Sequence, residues 1–157
     1  MAPPYTGRCF CEAVQYRIMQ APLTLYACHC TDCQKRSGSA FGLSLWVDRT
    51  AIEVTQGNAA LQISSGHDDR LRHSRVCIQC NTRLWSEPEK NPRLAVVRPG
   101  TLDDTSWLRP VAHLWTRSAQ PWFEFPEGVV RFATQPVDLM ELVQLWRDRT
   151  ARSSAPG

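Results

Sequence analysis

The chain has no apolar run approaching the roughly 20 residues that span a bilayer, so no membrane helix is expected. It has no dense lysine run and no basic helix, and its formal charge is only +3, from 18 basic and 15 acidic residues. The electrostatic footprint of a nucleic-acid binder is therefore missing. The opening residues, Met1-Ala2-Pro3-Pro4-Tyr5, hold no basic stretch followed by an apolar run, so no secretory signal is read there. There is no internal repeat, and no low-complexity segment except residues 151–157, expected to be a disordered tail. An even cysteine count is also lacking: the 157 residues hold seven. Secreted disulfide domains are usually shorter, even-numbered and led by a signal peptide. These absences point to a cytoplasmic protein, where thiols stay reduced and can bind metal. The apolar fraction of 43% and charged fraction of 21% are ordinary for one globular domain with a real core.

What the chain does have is cysteine in three tight clusters: Cys9-x-Cys11, Cys28-x-Cys30-x-x-Cys33 and Cys77-x-x-Cys80. Cysteines this close in sequence rarely pair with each other, because the short loop holds their β-carbons in poor geometry. Seven divides into four plus three. Four thiolates close a tetrahedral zinc site and make it structural, whereas three leave a position open. Cys9 and Cys11 would stand nearly 7 Å apart on a flat strand, too far for one ion at about 2.3 Å from each sulfur. The backbone must bend there, and Gly7 is expected to help. Cys77-x-x-Cys80 has zinc-knuckle spacing, and Asn81 tolerates the left-handed conformation that often ends such a turn. Cys28, Cys30 and Cys33 lie within six residues, so a single turn offers all three to one ion. The two flanking pairs are each too small alone and are natural mates for each other. A histidine completing the middle site is an open alternative. His29 is expected to point away from that ion, while His67, His73 and His113 are free by sequence position. With seven thiolates and two Zn²⁺, the formal charge falls from +3 to 0, since seven charges are removed and four returned.

Most of the chain reads as short strands between turn residues, and an all-β domain follows. The candidates are Val14–Ile18, Leu23–Cys28, Phe41–Val47, Ile52–Gln56, Leu61–Ser64, Leu71–Cys77, Arg83–Ser86, Leu94–Arg98 and Val111–Trp115. In Phe41–Val47 the odd positions are apolar, which predicts a half-buried strand. Apolar residues from Val137 to Trp146 fall at helical spacing instead, with Pro136 and Asp138 as a start. The expected organisation is a zinc-binding β domain over 1–135, a C-terminal helix packed on it over 136–150, and the tail.

Several stretches carry a family resemblance. Gly7-Arg8-Cys9-Phe10-Cys11 with Val14-Gln15-Tyr16 looks like an opening motif, and Cys28-His29-Cys30-Thr31-Asp32-Cys33-Gln34-Lys35-Arg36-Ser37-Gly38 a central one. Val76-Cys77-Ile78-Gln79-Cys80 resembles a third motif, and His113-Leu114-Trp115 with Pro121-Trp122 a closing stretch. Over Tyr5–Phe125 the chain resembles the glutathione-dependent formaldehyde-activating enzymes, also called the centromere protein V-like family. Glu12 and Asn81 stand where that family often has glycine. The resemblance implies a mainly β fold, a zinc-dependent folded β-tent of layered antiparallel sheets. It implies a structural zinc on Cys9, Cys11, Cys77 and Cys80, and a catalytic zinc on Cys28, Cys30 and Cys33. It also implies carbon–sulfur lyase chemistry, the reversible joining of formaldehyde and glutathione into S-hydroxymethylglutathione. The partners would then be a small thiol, glutathione, and a small aldehyde.

Three thiolates leave a zinc site at −1 before a fourth ligand joins. That weakens it as a Lewis acid and favours presentation of the substrate thiol as a thiolate. Glutathione carries two carboxylates and one ammonium, so its pocket needs cations. Lys35, Arg36 and Arg117 are the candidates, with Arg75 a further one; the plainer use of each is a solvated surface charge. His113 is the candidate acid or base. Trp115 and Trp122 are candidate pocket walls, or else core anchors. Ser37-Gly38-Ser39 forms either a backbone donor loop or a plain turn. The competing functional readings are a zinc-stabilised thiol- or protein-binding module without turnover, and a zinc–thiolate redox sensor.

Overall fold

The computed structural model describes residues 2–66, 68 and 70–153. In chain order its strands are β1 (Tyr5–Arg8), β2 (Gln15–Ile18), β3 (Thr24–Cys28), β4 (Gly42–Asp48), β5 (Ile52–Gln56), β6 (Ala60–Ser65), β7 (Leu71–Val76), β8 (Arg83–Glu87), β9 (Leu94–Val97), β10 (Ala112–Leu114) and β11 (Val130–Phe132). Helix α1 spans Thr31–Ser37 and α2 spans Met140–Ser153. The protein is thus mainly β, as expected, with a C-terminal helix. Among the described residues no helix is long and apolar enough to cross a membrane. The chain forms two compact units. One comprises residues up to Pro22 with Leu45–Trp107, and the other Leu23–Ser44 with the residues from Leu108 onward.

In the first unit, β2 pairs antiparallel with β1 on one side and β5 on the other. A second sheet runs from the Leu45–Asp48 end of β4 through β9, β8 and β7 to β6, each pair antiparallel. Tyr16 of β2 meets Trp85 of β8 at 5.7 Å between ring centroids, so the sheets share one core. Ile18, Leu45, Val47, Leu84 and Val97 are buried with them. Gly7 serves this packing rather than the bend at Cys9. A Cβ there would lie 2.6 Å from the Tyr16 ring and 2.7 Å from the Thr101 carbonyl. Glu87 gathers the unit's polar groups: Arg75 donates two hydrogen bonds of 3.1 Å, Trp85 Nε1 one of 3.0 Å, and Arg49 a further one. Burial alone would raise the Glu87 carboxyl, but Arg75, Trp85 and Arg49 hold it down at about 2. Arg75 is therefore committed to an internal ion pair.

The second unit departs from the expected antiparallel arrangement. β10 runs parallel to both β3 and β11, with Leu114 opposite Cys28 and Phe132. The excursion between β3 and β10 lets the chain re-enter in the same direction, so its sheet is mixed. Leu25, Ala27, Ala112 and Leu114 are fully buried there. Helix α2 places Leu142, Val143 and Trp146 inward, and the Leu142 carbonyl accepts from Thr24 Oγ1 of β3 at 2.8 Å. Asp138 Oδ1 accepts from the Met140 N–H at 2.8 Å and starts the helix. Val137 lies before it and is fully exposed, not part of its apolar face. The helix runs on through Ser153, taking in residues 151–153 of the expected tail; residues 154–157 lie outside the described residues.

Candidate metal centres

Cys9, Cys11, Cys77 and Cys80 converge in the first unit, with all four sulfurs within 4.8 Å of one another. Cys9 Sγ stands 3.6 Å from Cys11 Sγ, which stands 3.7 Å from Cys77 Sγ. Two sulfurs about 2.3 Å from one tetrahedral ion lie about 3.8 Å apart, so the spacing fits a metal and is far too long for a disulfide. The cysteines are free thiols. Cys9 and Cys77 are buried, whereas Cys11 is exposed.

Two turns build this cluster. The Glu12 N–H donates to the Cys9 carbonyl at 3.0 Å, and the Asn81 N–H to the Cys77 carbonyl at 2.9 Å. Both turns end in the left-handed region, with φ of 62° at Glu12 and 58° at Asn81. These are the two positions at which the sequence departs from glycine. Asparagine suits that conformation; glutamate does not. Gly57 fits the first turn closely, because a Cβ on it would fall 2.1 Å from the Ala13 carbonyl. Thr82 ties the turns together: its hydroxyl accepts from the Phe10 N–H at 3.1 Å and sits 3.1 Å from Cys80 Sγ.

The thiols compete for negative charge. Cys80 is lowered to about 5, first by the Thr82 hydroxyl and then by the Thr82 N–H. At Cys11 the Ala13 N–H lowers the thiol, but hydrogen bonding to Cys80, Cys9 and Cys77 together with desolvation pushes it up to about 12. A divalent cation would hold all four as thiolates. Replacing Glu12 with glycine is expected to raise stability by about 0.5–1 kcal/mol. Relief of left-handed strain, about 1–2 kcal/mol, outweighs glycine's entropy cost. Thermal unfolding checks this. A lower Tm would show that the Arg8–Glu12 pair, at 3.5 Å, matters more than the strain.

Cys28, Cys30 and Cys33 converge in the second unit, again within 4.8 Å, and no histidine joins either cluster among the described residues. Cys28 ends β3, Cys30 caps α1, and Cys33 lies in its first turn. Helix α1 buries no residue, so its first turn serves to present sulfurs. Cys28 Sγ donates to Cys30 Sγ at 3.4 Å, and the Cys33 N–H donates to the same sulfur at 3.4 Å. Cys30 is thereby held well below the ordinary thiol range, by Cys28 and Cys33 first and by backbone N–H groups after them. Cys28 is driven well above it by the same hydrogen bonds and by burial.

His29 points away from the cluster, as expected. It is fully buried, and its Nε2 lies 2.9 Å from His113 Nδ1. One ring donates and the other accepts, so the two facing nitrogens share one proton. Phe41, Phe123 and Phe125 surround the pair, with centroids 4.8–5.3 Å from the His29 ring. Burial lowers His29, and burial, His29 and Arg131 lower His113 to about 4. His73 sits on β7 in the first unit, opposite Glu87. His67 lies outside the described residues.

Sequence reasoning missed the polar frame behind the trio. The His29 carbonyl accepts from Gln34 Nε2 at 2.7 Å and from Ser118 Oγ at 3.1 Å. Gln34 Nε2 also donates to the Ser118 carbonyl at 2.8 Å, and Gln120 Nε2 to Gln34 Oε1 at 2.7 Å. The signal was Gln34 inside the central motif, which was given no role of its own.

A concavity of about 590 Å³ along α1 is lined by Gln34, Lys35, Gly38, Ser39, Gln120 and Trp122. It brings together Lys35 and Trp122 of the expected site residues. Arg36 is exposed on the same helix. Arg117 stacks over Trp115 at 5.0 Å, and Trp115 Nε1 donates to Gln135 Oε1 at 3.2 Å. Trp115 itself has φ of 58°, strain confined to the residue after the strand that flanks Cys28. Gly38 is the left-handed cap of α1, and its N–H donates to the Gln34 carbonyl. The Ser39 N–H donates to Ser37 Oγ at 3.2 Å. Ser37-Gly38-Ser39 is thus a turn whose donors are used internally, not a donor loop.

Fold and clusters together define a mainly β protein with two sets of thiols suited to metal, one of four ligands and one of three. The profile of the family described as "Glutathione-dependent formaldehyde-activating enzyme" matches residues 4–118, most of the chain. The chain belongs to that family, whose name associates it with enzymatic activation of formaldehyde by glutathione. Its fold is similar to the crystal structure of a Rhodobacter sphaeroides protein, with a TM-score of 0.50 and 18% identity, covering 81% of this chain and 98% of that one. No curated protein matches the chain. The family match ends at Ser118, so Pro121-Trp122 and α2 lie beyond it.

Proposed function

We propose that the protein is a zinc-dependent carbon–sulfur lyase that forms or cleaves S-hydroxymethylglutathione, or the adduct of glutathione with a related small aldehyde. The observation that carries this reading is the trio Cys28, Cys30 and Cys33, a converged three-thiol set in a chain of this family. Zinc fits the donor set of both clusters, since soft thiolates favour it and the sulfur spacing matches. Cys9, Cys11, Cys77 and Cys80 would hold the structural ion, and Cys28, Cys30 and Cys33 the catalytic one. Bound there, zinc would supply a lowered pKa for a substrate thiol and polarisation of a carbonyl oxygen.

The chain's own groups do the rest. The Gln34–Ser118–Gln120 frame fixes the backbone between Cys28 and Cys30, so the sulfurs stay converged without substrate. Lys35 is the cation that lines the cavity along α1, suited to a glutathione carboxylate, with Trp122 as an apolar wall. Arg36, Arg117 and Trp115 complete the proposed substrate-binding set. His113, the proposed catalytic group, is neutral at pH 7. Its role narrows to accepting a proton, or to positioning the Cys28–Cys30 segment through His29. The cytosol, with its abundant glutathione, is the proposed location.

Zinc per chain should be two in protein purified without chelator. Carbon-13 exchange between formaldehyde and its glutathione adduct, followed by NMR, should run faster with protein than without. Chelation should return exchange to the spontaneous rate, and zinc should restore it. Two zincs per chain with no acceleration would favour a binding module over an enzyme.

A further inference from the structure

Away from the sulfurs, the second unit contains a cleft of about 440 Å³ that shares only His113 with the proposed chemistry. Arg109, Arg149 and Arg152 all line it, against one carboxylate among the described residues, Glu127. Its walls are apolar, with Val111, Val130 and Leu145 among them. Each arginine donates to a neutral main-chain carbonyl. Arg149 Nη1 reaches the Pro110 carbonyl at 3.2 Å, and its Nη2 the Arg109 carbonyl. Arg109 Nη1 reaches the Leu108 carbonyl at 2.9 Å, and Arg152 Nε the Asp148 carbonyl at 3.2 Å. These bonds hold the guanidiniums in place along the cleft. Arg149 is also braced from its face by the Trp146 ring at 5.0 Å. Burial, and then the charge of Arg109, makes the protonated state of Arg149 harder to hold than usual. An anion between them would relieve that repulsion.

The cleft's wall from Pro126 to Val130 and its α2 residues lie after Ser118, where the family match ends. We infer that this cleft is a binding site for a small organic anion, a carboxylate or phosphate group carried on an apolar body, gripped by Arg109, Arg149 and Arg152. Planar guanidiniums suit both headgroups, since each offers paired N–H donors. The apolar walls select against a bare inorganic ion. His113 lines the cleft as well, and its Nδ1 contacts His29, between Cys28 and Cys30.

The test is a calorimetric titration of the full-length zinc-loaded protein with hexanoate, hexyl phosphate, hexanamide and inorganic phosphate. One of the two hexyl anions should bind, with hexanamide and inorganic phosphate at least about tenfold weaker. Tighter binding of hexanoate than of hexyl phosphate assigns carboxylates, and the reverse assigns phosphate esters. Arg109→Gln and Arg152→Gln should each weaken binding by about tenfold or more, whereas Lys90→Gln, in the other unit, should not. Arg149 is left in place because it braces the fold. Unchanged circular dichroism and zinc content would confirm that the variants are folded. Methyl NMR shifts at Val130 and Leu145 locate the ligand independently. Failure of both hexyl anions to bind, equal binding of hexanamide, or undiminished affinity in the Arg109→Gln, Arg152→Gln double variant would overturn the inference. None of these readouts depends on lyase turnover.

Discussion

Replacement of Cys77 by serine is expected to unfold the first unit rather than weaken it. Cys77 is 1% exposed, and its sulfur lies 3.7 Å from that of Cys11, 66 residues earlier in sequence. A structural zinc is worth roughly 10–16 kcal/mol in small peptides, against about 5–15 kcal/mol for the net stability of a whole domain. Loss of one of four ligands therefore removes an amount comparable to the total. The geometry explains why little else would compensate. Cys9 and Cys11 follow a four-residue strand and lie in a turn that ends in left-handed Glu12, and the Cys77–Cys80 turn ends in left-handed Asn81. These are loops closed by a few hydrogen bonds, and the metal would hold them together. Trp85 is 1% exposed in the core of the same unit, so its near-ultraviolet dichroism reports the outcome. The variant should lose that signal at 25 °C and bind at most one zinc. Retention of the signal, with Tm lowered by only a few degrees, would show that the four-thiol cluster holds no metal in the folded protein.

The clusters were legible because a metal site writes itself into spacing, and three sulfurs within six residues need no long-range information. Most strands of the first unit were legible for a similar reason, since turn residues bound them closely. Other elements left weaker traces. Helix α1 buries none of its seven residues, so there was no apolar period to read. β1 alternates buried and exposed, but over four residues and with Gly7 at a buried position. In β4 the alternation misled. Leu45, Trp46 and Val47 are all buried, Ser44 is buried too, and Leu43 is only partly so. A strand covered on both faces does not obey a two-residue period. The parallel pairing of β10 was invisible because strand direction depends on where a long connection returns, which no local pattern encodes. The cleft beside α2 was hidden in the same way. Arg109 and Arg149 are 40 residues apart in sequence and are joined by a side-chain-to-carbonyl bond that no local pattern announces.

The trio should behave in the opposite way to the four-thiol clasp. Cys30→Ser is expected to leave the fold intact, lower zinc from two per chain to one, and reduce glutathione–formaldehyde exchange by about 10³-fold, the several kcal/mol that a bound metal supplies. Serine is chosen for a structural reason. Cys30 caps α1 and accepts the Cys33 N–H, and a serine hydroxyl is among the best acceptors for that position. Loss of metal is thus separated from loss of helix. The frame behind the site survives as well, because the His29 carbonyl is held by Gln34 and Ser118 rather than by sulfur. Two comparisons make the result decisive. If zinc falls to one but exchange persists, the second ion is dispensable and the proposed chemistry fails. If zinc stays at two, another group completes the site, and the histidines are then the first to test. His113 is poorly suited: its Nδ1 already faces His29 inside a cage of phenylalanines, and it is 4% exposed. Serving as a ligand would require breaking that pair. A fully active Cys30→Ser variant would therefore count against the enzyme reading itself, not only against the assignment of one sulfur.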